Sequence, residues 1–325
     1  MKVKFALVGL VVLALLSGGV AQAQRKAGDY PARAVRLVVP YPPGASNDVV
    51  ARLLGQKLSE VWGQQVVTDN RGGAGGLVGA EIVARATPDG YTLLLTNPGS
   101  NAMNFALRAK TPYQPDDFAS VTLLGWSPIM LLTSATFPAT TLKELIAMAK
   151  AKPGQLSGGS SGAGGSSHIA LEYFKMLSGT DILHVPYKGA APAITDMIAG
   201  QVSLIFTTPV TAQALIRAGK IKSLAVAGNK RLDVFPDVPT TTEQGLKGYD
   251  VNIWFGISAP AGTPRPLVTK ISRDLHAVVA MPEVKERFAT LGLEPQVSTP
   301  EEFDRIIRDD IARWSKVVKA ANLAP

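Results

Sequence analysis

The stretch from Val35 to Leu54 restricts the possible folds more than any other part of the chain. Its apolar run, Leu37 to Val39, predicts a buried parallel strand. Pro40, Pro42, Pro43 and Gly44 end that strand and impose a stiff turn, because proline fixes φ and donates no N–H. Ser46, Asn47 and Asp48 are candidate caps for a following helix, whose apolar positions Val49, Val50, Leu53, Leu54 and Leu58 recur at helical spacing. A strand, a tight loop and a helix N-terminus form an anion seat, since free backbone N–H groups and the helix dipole both favour negative charge. Its candidate residues are Tyr41, Pro42, Pro43, Gly44, Ala45, Ser46, Asn47 and Asp48. An ordinary strand-to-helix connection carries the same pattern, so this stretch alone leaves both readings open.

The N-terminus reads as an export signal. Lys2 and Lys4 precede an apolar run, Phe5 to Leu16, and Ala21-Gln22-Ala23 supplies a small-x-small cleavage site. The run is shorter than the ~20 apolar residues of a spanning helix, so cleavage after Ala23 is expected rather than a retained anchor. Residues 1–23 are therefore assigned as signal peptide, and the rest to the periplasm of a two-membrane bacterium. The absence of cysteine leaves no lipobox thiol, disulfide or thiolate metal site. The formal charge of +8 suits solubility or acidic ligands. No long Lys/Arg block or basic-aromatic array accompanies it, so a nucleic-acid partner is not expected.

Strand-like and helix-like segments alternate along the rest of the chain, which predicts an α/β fold with mainly parallel sheets. Tyr91 to Leu95 is a strand whose C-terminal end carries Thr96 and Asn97, and ligands of open α/β sheets gather beyond such ends. Thr140 or Thr141 caps a helix running to about Lys152. Val202 to Phe206 is a strand ending at Thr207 and Thr208. Two apolar runs, Val121 to Leu132 and Trp254 to Ile257, read as crossings between lobes. They predict a discontinuous first lobe, 24–123 and 253–325, and a second lobe, 124–252. Two sheet lobes joined by two strands leave a cleft and a hinge.

The most biased segment runs from Ser157 to His168. Gly158 to Gly162 formally satisfies the G-x-S-x-G elbow of serine hydrolases, with His184 or His276 as bases. Gln155-Leu156-Ser157 is a poor strand, however, and more glycine follows. A Gly/Ser loop entering a helix at Ser166 or Ser167 is the better expectation, with a secreted hydrolase on Ser160 as the alternative. The loop's N–H groups and hydroxyls can grip a carboxylate without chemistry. Its candidate residues are Ser160, Ser161, Gly162, Gly164, Gly165, Ser166, Ser167 and His168; Tyr187, Lys188 and Gly189 follow another strand. Gly72 to Gly79 fits no nucleotide-binding pattern, and the three histidines show no metal spacing. No cofactor is expected.

Taken jointly, several motifs carry a resemblance. They are Val38-Val39-Pro40-Tyr41-Pro42-Pro43-Gly44 with Asp48, Asn70 with Gly73 to Gly76, Pro88 to Thr92, Gly162 to His168, Val185 to Gly189 with Pro192, Gly200-Gln201-Val202, and Pro236 to Thr240 with Glu243 and Gly245. The chain resembles the extracytoplasmic solute receptors of tripartite tricarboxylate transporters, the Bordetella uptake gene family. The resemblance implies a two-lobed, type II periplasmic-binding-protein fold, each lobe a mainly parallel sheet flanked by helices, with two crossover strands. It implies a monomeric, non-enzymatic receptor that closes on a small organic carboxylate. Its partner would be the permease subunits of a tripartite transporter, or alternatively a sensor histidine kinase. The carboxylate would be held by Tyr41 to Asp48 in one lobe and by Ser160 to His168, Tyr187 to Gly189 and Thr207-Thr208 in the other. Ala45 stands where a second glycine is usual, Gly73 where proline is common, and Ser203 and Thr207 where aspartate is frequent. An aspartate at 207 would suit an amino group, so Thr207 points to a plain acid.

Overall fold

The anticipated strand is Val35–Val39 (β1), and its alternate residues feed two cores. Val35, Leu37 and Val39 pack with Val50, Ala51, Leu54 and Leu58 of helix α1, Ser46–Trp62. Val38 points the other way, to Leu77, Ala80 and Val83 of α2, Leu77–Ala84, and to Leu94 of β3, Thr92–Thr96. This is the two-sided burial that an uninterrupted apolar strand demands, each such side chain stabilising by about 1.5–3 kcal/mol. Gly63 ends α1 in the left-handed conformation at φ 62°.

The computed structural model describes residues 30–321 and 323. The assigned signal peptide lies outside them. Beyond β1, α1 and β2 (Val66–Asn70) come α2, β3 and a short helix α3, Asn104–Leu107. Then follow β4 (Phe118–Pro128), β5 (Met130–Ser134), α4 (Leu142–Ala151), β6 (Ser157–Ser160) and α5 (Ser166–Ser178). Next are β7 (Leu183–Pro186), α6 (Ala190–Ile198), β8 (Leu204–Thr207), α7 (Pro209–Arg217) and β9 (Ile221–Val226). The chain ends with β10 (Asn252–Pro260), α8 (Arg265–Ala280), α9 (Pro282–Thr290), β11 (Glu294–Pro295) and α10 (Pro300–Ala320). Thr141 caps α4, with Glu144 reaching back to complete a capping box. Among the described residues no helix is long and apolar enough to cross a membrane.

The strands form two sheets, ordered β11-β4-β10-β3-β1-β2 and β7-β6-β8-β5-β9. The sheets are mixed rather than mainly parallel. β1 runs parallel to β2 and β3, and β6 to β7 and β8, but β10 is antiparallel to β3 and β4, β11 to β4, and β5 to β8 and β9. The reason lies in the crossings. β4 carries the chain out of the first sheet and β10 carries it back, so the two run in opposite directions side by side. The Ile129 N–H donates to the Val251 carbonyl at 3.0 Å, and the Ala227 N–H to that of Ile129 at 2.9 Å. The outgoing and returning segments are therefore bonded to each other where they pass between the lobes.

One expectation fails in the second sheet. Ser157–Ser160 is not loop but β6, paired on both edges. A Cβ on Gly158 would lie 2.7 Å from Leu171 of α5, and one on Gly159 would lie 3.2 Å from Ala193 of α6. Helices press on both faces of this strand, so the glycines that look like loop are the residues that let the layers close.

Helix α10 packs Phe303 and Ile307 against Trp254 and Leu123 of the crossing strands. Trp254 Nε1 donates to Asp310 Oδ2 at 3.0 Å. Burial pushes the Asp310 carboxyl up to about 6, opposed only in part by that bond and by Arg313. The folded protein thus holds this proton at pH values where the unfolded chain has lost it. The contribution of Asp310 to stability is full below the ordinary aspartate range and is lost as pH rises through about 6. Asp310→Asn should remove that loss, raising stability at pH 7 by roughly 1–3 kcal/mol. Urea unfolding at pH 4.5 and pH 7 checks this: the variant should lose its advantage at the lower pH, and equal gains at both would contradict it.

Candidate ligand-binding site

Between the lobes, beside Ile129 and Ile253 on the crossings, lies a cavity of about 40 Å³. Tyr41, Ala45, Ser46, Asn47 and Asn97 line it from the first lobe, and Ser161, Ser166, Ser167, Thr207 and Thr208 from the second. The structure adds Ile129, Ala190, Phe206 and Ile253, which sequence reasoning missed. Two of these were within reach: Ile129 belongs to the first apolar crossing and Ile253 adjoins the second, and a cleft between lobes has its crossings as floor. Among the described residues no charged side chain lines the space.

Four helices begin at this cavity. α1, α5, α6 and α7 start after Ala45, Gly165, Gly189 and Thr208, and in none does a side chain cap the first turn. Each N-terminus carries the equivalent of about half a positive charge. Three buried side-chain atoms on cavity residues also lack any hydrogen-bond partner: Asn47 Nδ2, Ser166 Oγ and Thr208 Oγ1. Asn97 fixes which end of the Asn47 amide is free. Its Oδ1 accepts from the Ser100 N–H at 3.1 Å and from the Tyr41 hydroxyl at 3.2 Å, so its Nδ2 is the donor to Asn47 Oδ1 at 3.0 Å. Asn47 therefore presents an N–H to the cavity. The Gly75 carbonyl lies 3.1 Å from the same hydroxyl and shares its single proton with Asn97 Oδ1, and burial raises the Tyr41 pKa above the ordinary tyrosine value. Ser167 Oγ accepts from the Ser161 N–H at 2.7 Å and bonds the Ser161 hydroxyl at 2.8 Å.

The other predicted residues do not line this cavity. Asp48 accepts from the Gly44 N–H at 2.9 Å and from Arg52 Nε at 2.9 Å. Burial alone would raise its pKa, but these bonds outweigh burial and hold the carboxyl below its usual range. Pro43 and Gly44 are exposed, while Pro42 touches Gly189 across the cleft. Thr96 bonds Asn101 in a buried polar cluster that includes Ser100. Ser160 is fully buried, with its Oγ 2.6 Å from His184 Nε2. That pair does not reach the cavity, and among the described residues no carboxylate bonds His184, so the elbow lacks a hydrolase's geometry. The His168 ring stacks on His184 at 3.9 Å and its Nδ1 accepts from the Gly164 N–H at 3.1 Å. Burial lowers the two histidines to about 3 and about 4, which keeps both neutral. Gly162 and Gly165 pack on Gly75 of the first lobe. Tyr187 donates to Asp196 at 2.7 Å, and Lys188 is exposed.

Known proteins share this fold. Residues 50–323 match the family described as the tripartite tricarboxylate transporter family receptor. Rpa4515 of R. palustris, solved with adipate, is 36% identical, with a TM-score of 0.89 over 91% of this chain and 100% of that one. MatC from Rhodopseudomonas palustris, solved with bound malate, is 34% identical, with a TM-score of 0.85 over 89% and 100%. The periplasmic binding protein BugD is 36% identical, with a TM-score of 0.87 over 91% and 99%. With two lobes hinged on paired crossings and a cavity ringed by helix N-termini, the chain belongs to the tripartite tricarboxylate transporter receptor family, whose members are periplasmic solute-binding proteins.

Proposed function

We propose that this protein captures a small organic carboxylate in the cavity between its lobes and delivers it to the permease subunits of a tripartite transporter. The observation that carries the reading is the set of unpartnered atoms, Asn47 Nδ2, Ser166 Oγ and Thr208 Oγ1, on one small cavity. Leaving a buried polar atom unpaired costs about 1–3 kcal/mol, so three around one space point to an absent guest that pairs with them. With no cationic side chain present, the negative charge rests on N–H groups, hydroxyls and helix dipoles. The adipate and malate held by relatives are such guests.

Thermal unfolding with malate, adipate and their diamides tests the reading. An acid at a hundred times its Kd stabilises by about 2.7 kcal/mol, a rise of roughly 4 °C in a chain of this size. The neutral diamides should give no rise, and equal rises with acids and diamides would overturn the carboxylate assignment. Delivery is tested by uptake of the labelled acid, which should fall when the receptor or the permease gene is deleted.

Thr207 lines the cavity and offers a hydroxyl where a carboxylate would be needed to pair an amino group. Succinate and malate should therefore bind about tenfold or more tightly than aspartate and glutamate. A calorimetric screen that ranks the amino acids first would reject this.

A further inference from the structure

Glycine recurs at several contacts between the two lobes, and one of these contacts bears on which acids fit. Gly189 precedes α6 in the second lobe, with φ 160° and ψ 171°, an extended conformation open to any residue. A Cβ there would lie 2.7 Å from Pro42 Cγ, 2.8 Å from Pro42 Cδ and 3.6 Å from Pro42 Cβ, so the Pro42 ring supplies its three nearest neighbours. Pro42 belongs to the first lobe and cannot retreat. Its ring is rigid, and Gly72 stands behind it so closely that a Cβ there would be 2.9 Å from Pro42 Cδ. The preceding carbonyl, that of Tyr41, is fixed by Asn70 Nδ2 at 3.0 Å. Neither Pro42 nor Gly189 lines the cavity, although Tyr41 and Ala190, their chain neighbours, do. This contact therefore adjoins both walls of the cavity.

We infer that the Pro42 ring against the bare Gly189 backbone is the closure stop of the cleft, and that it selects short acids by setting how far the lobes approach. The inference rests on the carboxylate reading above and adds residues that act without touching the guest. A Cβ at 189 holds the lobes apart and depopulates the fully closed state. A short acid needs that state to touch both lobes, whereas a longer acid spans a wider gap.

Calorimetric titration of wild type, Gly189→Ala, Pro42→Ala and the double variant with malate and with adipate tests this. Gly189→Ala should weaken malate about tenfold and adipate much less, because only the former requires full closure. Adding Pro42→Ala, which removes the ring atoms the new Cβ meets, should restore most of the malate affinity, a non-additive result that merely local damage does not give. The ligand-free melting temperature of Gly189→Ala should equal that of wild type; a fall would place the effect inside the second lobe and overturn the stop. An unchanged malate-to-adipate ratio, with wild-type binding intact, would overturn the stop alone. Failure of wild type to bind either acid would overturn the carboxylate reading and the selectivity claimed for the stop with it.

Discussion

Asn47→Asp should abolish carboxylate binding while leaving the protein folded. Asn97 Nδ2 donates to Asn47 Oδ1 at 3.0 Å, and that bond survives in the variant because a carboxylate oxygen accepts it equally well. The other oxygen then faces the cavity in place of the free N–H. One donor to the guest is lost, worth about 1.5–3 kcal/mol when the acceptor is charged. A second negative charge also appears some 4 Å from the guest, which at an effective dielectric constant near 20 costs about 4 kcal/mol. Together these predict a loss in affinity of about ten-thousandfold or more. The fold should tolerate the change, because aspartate in the first turn of a helix is favourable. Titration with malate and adipate, alongside the ligand-free melting temperature, reads both effects. A loss below tenfold in a protein of wild-type melting temperature would show that Asn47 does not face the guest.

Gly158→Val should destabilise the fold even though valine is the better strand former. β6 lies between β7 and β8, with Leu171 of α5 against Gly158. A Cβ at 158 would come 2.7 and 2.9 Å from the two terminal carbons of Leu171, which is itself fully buried and has no room to turn. Two further methyl groups must force α5 outward. Overpacking of this kind costs about 3 kcal/mol, a fall of roughly 5 °C in melting temperature, against well under 1 kcal/mol gained from strand propensity. Because α5 begins at Ser166 and forms part of the cavity wall, malate affinity should fall too. A Gly158→Val protein as stable as wild type would mean that the close layer spacing is not what keeps glycine there.

These two positions also show what a sequence can and cannot disclose. Val35–Val39 and α1 were legible because a continuous apolar run, a proline turn and helical spacing each reflect local chemistry. Ser46, Asn47, Ser166 and Thr208 were legible as candidates because hydroxyl and amide residues at a helix start stand beside its free N–H groups. β6 was not, since the argument for glycine at 158 and 159 lies in helices that join the chain later. The antiparallel crossings were hidden for a similar reason: the direction of β10 depends on where the chain re-enters the first sheet, not on its composition. Local pattern likewise did not separate residues that line the cavity, such as Ser161, from those that hold it up, such as Ser160 and His168. Apolar lining from Ala190 and Phe206 looks the same in sequence as core.

A crystal structure of the protein with the acid it binds most tightly tests the central claim most directly. The carboxylate oxygens should lie within hydrogen-bond distance of Asn47 Nδ2, Ser166 Oγ and Thr208 Oγ1, with no cationic side chain drawn in to neutralise them. Density for the acid in the groove beside Asn229 and Asn252 on the hinge side, or a lysine or arginine folded over its carboxylate, would contradict it.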